Sequence, residues 1–592
     1  MSAYSVLADP SSQIRLLELQ PGAYDDPIAC SLRTTELSKD NSYEALSYVW
    51  GADEISCQIS LGAKPFGIRA DLENALRRLR DTQSARVLWI DAICINQEDI
   101  PERNAQVGIM RRIYSNAENV LVWLGEARDN SDLVMTERGI IDNFHAIDAE
   151  MWKAVMKGPR WNAFCQILER PWWRRTWIIQ ELAFARSVRV FCGEHSLEWN
   201  TIGTNIILYA QILENMGEMR DSLPIPESLD YSIELILLRG KFEQNARKPD
   251  MNLMDLMQWF RRCEATDPRD KVFGLLGLAK DNIDAEFGAD YALSVSEVYR
   301  RTTEYFIRKH VSFATLGLKG SDASTSQHHL PSWVPDWNKE LSFSPFPEIY
   351  RVSGESGLDF EFTQDGQEMS VTAAMMGDLG LCMPVGLADK EHWRAIEQIL
   401  VNMMERSNWL FYPDEQATRE AFRRTLLADN VSGTRLSEED YIRYSAWFDR
   451  NPELDKGTPH DMEEGKGEIV EISTREYIEM VQTLIPEVAR GLNPWRDKQA
   501  EEDDHKYYDA INAALRGRGL FFNRNYFIGI ASAAAEKGDV LCIPSGAKIP
   551  WIVREVDGGA YKFVGECYVH GIMDGEIMDS LTEDSVKRIT IT

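Results

Sequence analysis

The sequence predicts an α/β chain: a parallel sheet covered by helices, then a helical region, then a small β-barrel-like module. Three observations carry this reading. Short apolar runs alternate with helix-length amphipathic segments over residues 1–200. Residues 201–345 read as mostly helical, ending in LPSWVPDW (330–337). Strand patterns with glycine turns return at 357–377 and again from 520 onward. The domains therefore read as 1–200, 201–345 and 346–592, the last carrying a helical insertion at about 390–515.

The elements run in this order. YEALSYVW (43–50) is an apolar, aromatic strand stopped by Gly51. DLENALRRLRD (71–81) sets Leu72, Ala75, Leu76 and Leu79 on one helical stripe. RVLWID (86–91) is a short buried strand ending on an acid. Asp99 and Glu102 have the spacing of a capping box, with Pro101 in the first turn. The next helix buries Val107, Met110, Ile113, Tyr114 and Ala117. ENVLVWLG (118–125) is the next strand, 130–170 a helical insertion, RPWWRRTWIIQELAFA (170–185) a helix opened by Pro171, and VRVFCG (188–193) a fourth strand. In the last domain, turns at Asp365-Gly366 and Asp557-Gly558-Gly559 mark hairpins, and the acidic stretch 452–471 reads as a solvated loop.

At 592 residues the chain is too long for one core. Its net charge of −30 opposes a nucleic-acid partner held by phosphate neutralisation. Nine scattered cysteines without a C-x-x-C suit a reducing, cytoplasmic setting rather than a disulfide framework or structural zinc. His328-His329 reads as a loop pair, so no metal is expected. No apolar run approaches membrane-spanning length, and the N-terminus has no signal-peptide pattern. The absence of a P-loop and of a convincing dinucleotide fingerprint opposes an NTPase or ordinary dehydrogenase.

EALSYVWG (44–51), LWIDAICINQED (88–99), ERNAQVGIMRRIYSNAENVLVWLG (102–125) and RPWWRRTWIIQELAFARSVRVFCG (170–193) closely resemble the fungal heterokaryon incompatibility (HET) domain. ATDPRDKVFGLLGLA (265–279), LPSWVPDW and GECYVHGIMDGE (565–576) resemble segments that lie C-terminal to that domain in large family members. The resemblance implies a role in programmed cell death after non-self recognition. It also implies kinship with Toll/interleukin-1 receptor (TIR) domains and hence a TIR/flavodoxin-like sheet. The Ser47-Tyr48 pair, the strand-ending Asp91 and the W-x-x-x-E of Trp177 to Glu181 follow the TIR order, with the insertion at 130–170 as a departure. In catalytically active TIR domains the glutamate of that helix is required for cleaving NAD⁺ between nicotinamide and ribose, and the resemblance gives this role to Glu181.

In an open parallel sheet the ligand crevice lies beyond the carboxyl ends of the strands. A carboxylate there stabilises the positive charge that grows on a ribose losing nicotinamide. On a continuous helix Trp173, Trp177 and Glu181 share one face, and Arg174, Arg175 or Arg103 could compensate the buried acid. Glu181 is thus either catalytic or an arginine-paired structural acid. Asp91 either bonds a ribose hydroxyl or caps the loop after it. Asn96 and Gln97 orient a ligand or satisfy the loop backbone. Arg103 and Gln106 face a phosphate or solvent. Tyr48, Trp50 and Gly51 end the first strand, Gly51 allowing close approach and Trp50 either stacking on a ring or packing in the core. Cys94 and Cys192 are weak nucleophile candidates. The expectation is an NAD⁺ glycohydrolase that self-associates through the HET domain, with downstream modules sensing a protein partner. The alternatives are a non-enzymatic signalling module and an enzyme acting on another nucleoside N-glycoside.

Overall fold

Strands buried on both faces read as continuous apolar runs, and two such strands set the centre of the first sheet. β3 (Glu44–Tyr48) and β7 (Val120–Trp123) lie side by side and parallel, in register from Ala45↔Val120 to Tyr48↔Trp123. β6 (Arg86–Trp89) flanks β3 and β8 (Val188–Cys192) flanks β7, both parallel. A computed structural model describes residues 4–592 apart from 52–53, 63, 136–157, 216–224, 246–250, 281–287, 321–326, 342, 385–389, 407–411 and 450–497. The chain forms two compact units, residues 1–298 with 337–339, and residues 299–336 with 340–592. Much of the expected insertion at 130–170, and the acidic stretch 452–471, lie outside the described residues.

The parallel sheet expected for residues 1–200 is a mixed one. β1 (Gln13–Leu19) runs antiparallel to β6 and to β2 (Ala29–Glu36); β4 (Cys57–Leu61), β5 (Lys64–Ile68) and β9 (His195–Glu198) complete nine described strands ordered β5-β4-β2-β1-β6-β3-β7-β8-β9. The centre, β6-β3-β7-β8, is parallel throughout, and β2 and β4 form one further parallel pair. The reason is β1 itself. The next strand in the chain, β2, returns beside it after a short connection, and a connection of this kind joins antiparallel strands.

Helix Ala70–Leu79 buries the predicted stripe of Leu72, Ala75, Leu76 and Leu79. Asp99 caps helix Ile100–Gly108, accepting from Glu102 N at 3.1 Å. The Glu102 carboxylate does not turn back to Asp99. It takes a two-pronged contact from Arg15 at 2.6 and 2.8 Å and a hydrogen bond from Asn96 N at 2.7 Å. Arg15 also donates to Cys94 O at 3.0 Å, so one buried pair ties β1 to the loop after β6. Beyond Gly108 a second helix, Met110–Asn116, buries Met110, Ile113 and Tyr114.

Helices Trp199–Asn215, Leu229–Gln244, Leu253–Trp259 and Asp270–Leu276 come next. In the second unit, β10 (Phe360–Phe362) and β11 (Met369–Pro384) form the predicted hairpin with Gly366 at φ +66°. Helices Lys390–Arg406, Glu415–Leu426, Glu438–Asp449 and Lys498–Leu515 occupy the expected insertion, with a minor ribbon of β12 (Asn430–Val431) and β13 (Thr434–Arg435). The chain then resumes as β14 (Arg518–Asn523), β15 (Ile528–Ser532), β16 (Val540–Pro544), β17 (Trp551–Glu555) and β18 (Tyr561–Val569), and β19 (Val586–Ile591) lies along β11 and β18. β11-β14-β15-β18-β17-β16 is a ring closed by the β16–β11 pairing: a six-stranded barrel. β11 bends at Gly377 (φ +91°), where its register with β16 shifts, and pairs β14 beyond the bend.

Removing one member of a buried ion pair strands the other charge. Glu102→Ala is therefore expected to destabilise the first unit by about 3–5 kcal/mol in denaturant unfolding, and Arg15→Met with Glu102→Leu by clearly less.

Candidate functional site

The carboxyl ends of β3 and β6 bring Tyr48, Trp50 and Asp91 together. Trp50 Nε1 donates to Asp91 Oδ2 at 2.9 Å, and Ala92 N donates to Asp91 Oδ1 at 2.7 Å. Gln97 Nε2 reaches the Asp91 carbonyl at 3.1 Å, closing the loop on itself. Arg69 stands 5.2 Å from the Trp50 ring. Gly51 has φ +73°, and a Cβ there would fall 2.0 Å from Asp71 Oδ2, so only glycine permits this strand exit. Burial raises the Asp91 pKa; the Arg175 charge and the Trp50 hydrogen bond pull it down again.

Glu181 comes to the same place from the other side. The helix expected over 170–185 is in fact two pieces, a 3₁₀ turn Pro171–Arg174 and a short α-helix Ile178–Ala183. Arg175 is extended (ψ 135°) because its neighbours bond elsewhere: Thr176 N donates to Glu264 O at 2.9 Å, and Glu264 N donates to Arg174 O. The face shared by Trp173, Trp177 and Glu181 is thereby broken after Trp173, while Glu181 N still bonds Trp177 O at 3.3 Å. The break turns Arg175 inward, where its guanidinium donates to Tyr48 O.

Glu181 is 2% exposed, and its Oε2 has no hydrogen-bond partner. Burial pushes its pKa up to about 7; Arg175 and the Ser47 hydroxyl lower it, Asp91 raises it and the Tyr114 hydroxyl lowers it. Ser47 is itself fixed by Trp172, whose Nε1 donates to Ser47 Oγ at 2.8 Å. The Tyr48 phenol is pushed well above its usual range by burial and by Asp91. Arg175, not Arg174 or Arg103, is therefore the cation facing the acids. Arg174 pairs with Glu169 at 2.6 Å and Glu227 at 3.0 Å.

The other sequence candidates are placed apart from Glu181. Asn96 meets Glu102 through its backbone N. Gln106 is fully buried and its amide donates to Pro10 O at 2.6 Å and Gln13 O at 2.8 Å. Arg103 lies 3.8 Å over the Tyr291 ring. The Trp177 indole faces Asp270, whose pKa burial raises to about 6 while the Tyr291 hydroxyl and this indole lower it. Burial drives the Cys94 thiol up to about 12, which disfavours a thiolate nucleophile. Sequence reasoning did not name Ser47 or Tyr114 as neighbours of Glu181, nor Asp270 as the partner of Trp177. The DPRDK run (267–271) was the signal available for Asp270.

Together these residues make a buried carboxylate with one oxygen that has no protein hydrogen-bond partner, a second acid tied to the backbone, and one arginine between strand end and helix. Such a set can stabilise a growing positive charge, accept hydroxyl hydrogen bonds, or take a proton near neutral pH.

Comparison with known proteins bears on the same residues. The family model described as "Heterokaryon incompatibility protein (HET)" matches residues 43–181, ending at Glu181, and "Het-6 beta-barrel domain" matches 487–586. The chain is 27% identical to "Heterokaryon incompatibility protein 6, OR allele" of Neurospora crassa, over 97% of this chain and 95% of that protein. No solved structure matches.

The Glu181 pKa supplies a stability test. In the fold the acid holds its proton to about 7, against an ordinary 4.5, so the folded state binds the proton more tightly. That stabilisation is complete below about 4.5 and lost as pH rises through about 7. Glu181→Gln escapes the loss: in urea unfolding it is expected to exceed wild type by up to ~3 kcal/mol at pH 8, with a smaller margin at pH 5.

Proposed function

The chain belongs to the heterokaryon-incompatibility (HET) proteins, and on that premise we propose that it acts in non-self recognition by hydrolysing NAD⁺ to nicotinamide and ADP-ribose in its N-terminal domain. The observation that carries the proposal is the buried Glu181 carboxylate with an unpartnered oxygen at the carboxyl edge of a parallel sheet. The sheet order supports it. In chain order the central strands run second-first-third-fourth (β6-β3-β7-β8), which is the start of the doubly wound flavodoxin-like arrangement expected of a TIR-like domain.

In this reading the C1′–N bond breaks with its electron pair going to the pyridinium nitrogen, so nicotinamide leaves neutral and needs no acid. Ionised Glu181 stabilises the charge developing on the ribose, water adds to C1′, and the water proton leaves through the carboxylate to solvent. Arg175 keeps Glu181 ionisable despite burial. Asp91, held by Trp50 and Ala92, shapes the strand-end loop. The downstream units are proposed to sense a protein partner and the HET domain to self-associate, in the cytoplasm.

The test is nicotinamide release by the full chain from NAD⁺, at dilute and at self-associating concentrations. Wild type is expected to turn over and Glu181→Gln to lose at least about a hundredfold with its unfolding transition intact. The wild-type rate is expected to rise about tenfold per pH unit up to about 7 and then level, as Glu181 ionises. No release under either condition leaves the non-enzymatic signalling reading. Release from another nucleoside N-glycoside but not from NAD⁺ moves the substrate class.

A further inference from the structure

The matched HET segment stops at Glu181, yet the residues that hold the Glu181 helix come from about ninety residues downstream, within the same compact unit. Glu264 pairs with Arg175 as a one-residue parallel bridge, and its carbonyl accepts from Thr176 N at 2.9 Å and Thr176 Oγ1 at 3.1 Å. Lys271, buried, donates back to Arg261 O at 2.9 Å and to Cys263 O, which closes the turn before helix Asp270–Leu276. That helix then lies against the Glu181 helix at two glycines. A Cβ on Gly274 would meet Thr176 Cγ2 at 3.0 Å, and one on Gly277 would meet Gln180 Oε1 at 3.0 Å. Asp270 accepts from the Tyr291 hydroxyl and faces the Trp177 indole, which favours its charged form. The Tyr291 ring is in turn flanked by Arg103 at 3.8 Å and Arg269 at 5.2 Å, and Arg269 pairs with Asp267 at 2.6 Å.

The contacts of Glu264, Asp270, Gly274 and Gly277 fall on residues 174–180, the stretch that sets where Arg175 and Glu181 point. We propose that residues 264–277 form a strap that positions the Glu181 carboxylate, with Asp270 as a positioning residue acting through Trp177. The inference rests on the reading of Glu181 as the working carboxylate, but its structural half stands apart from that reading. Asp270 touches no substrate; it fixes the indole one helical turn before the acid. Misplacing a reacting group by about 1 Å costs on the order of a hundredfold in rate, so loosening this anchor is felt in turnover before it is felt in binding.

The experiment uses the full chain with Asp270→Ala, Asp270→Asn and Gly277→Ala. Two readouts are taken: kcat and KM for nicotinamide release, and amide hydrogen exchange of peptides covering 176–183 and 44–48. Asp270→Ala is expected to lower kcat at least about tenfold with KM little changed, and to speed exchange at 176–183 while 44–48 stays as in wild type. Asp270→Asn, which keeps an oxygen for the indole, recovers most of both. Gly277→Ala crowds the Gln180 amide and is expected to lower kcat severalfold while folding normally, so it serves if Asp270→Ala does not fold. Wild-type kcat and wild-type exchange in Asp270→Ala, or in Gly277→Ala where that variant stands in, overturn the strap. If wild type itself releases no nicotinamide, the NAD⁺ reading fails and exchange alone decides: faster exchange at 176–183 upholds the strap, and unchanged exchange overturns it.

Discussion

The first unit is organised around the cost of keeping the Glu181 carboxylate out of water. A buried acid either protonates or finds a cation. Here the cation is Arg175, six residues earlier in the chain. On one continuous α-helix six residues amount to about 240° of rotation, so the two side chains would diverge. The extended residue at Arg175 abolishes that constraint, and it exists because the backbone on either side of it bonds Glu264. One backbone break therefore decides whether the acid has a cation at all.

The two acids of the site divide their roles through their surroundings. Both are desolvated, and Asp91 adds to Glu181's cost of ionising. Asp91 spends its two oxygens on Trp50 and Ala92, which fixes it as part of the strand-end loop. Glu181 Oε2 is buried and has no protein hydrogen-bond partner. Among the described residues Glu234 also has a buried unpartnered carboxylate oxygen and a pKa raised to about 7. It lies on helix Leu229–Gln244, with Asp230 and Arg262 as its charged neighbours. Burial alone thus does not single out Glu181; its position at the carboxyl edge with Arg175 and a second acid does.

Much of this was legible in the sequence where local pattern and tertiary partner agree. The apolar runs at 43–50, 86–91, 118–125 and 188–193 became the parallel centre, and the Leu72–Leu79 stripe became a buried helix face. The barrel was readable across its own insertion because its turns need glycine at fixed places, as at Gly366, Gly558 and Gly559. The features that stayed hidden needed a partner remote in sequence. Asp99 capped its helix as the spacing foretold, but Glu102 was claimed by Arg15, and no local rule reports an ion pair spanning that distance. The helix over 170–185 had good periodicity and still broke, since the bonds offered by Glu264 competed with one more helical turn.

A folded chain gains nothing from an orphaned carboxylate oxygen. Leaving a charged group without a hydrogen bond costs several kcal/mol in a dry interior. Pairing both Glu181 oxygens with Arg175 would have been the cheaper solution for stability, and the arginine is close enough to lower the acid's pKa. Instead the guanidinium donates to the Tyr48 carbonyl, which holds it at the strand end. The arrangement offsets part of the charge and leaves Oε2 without a protein hydrogen-bond partner, and on the proposed reading this is the oxygen that would meet a ligand hydroxyl or a developing cation.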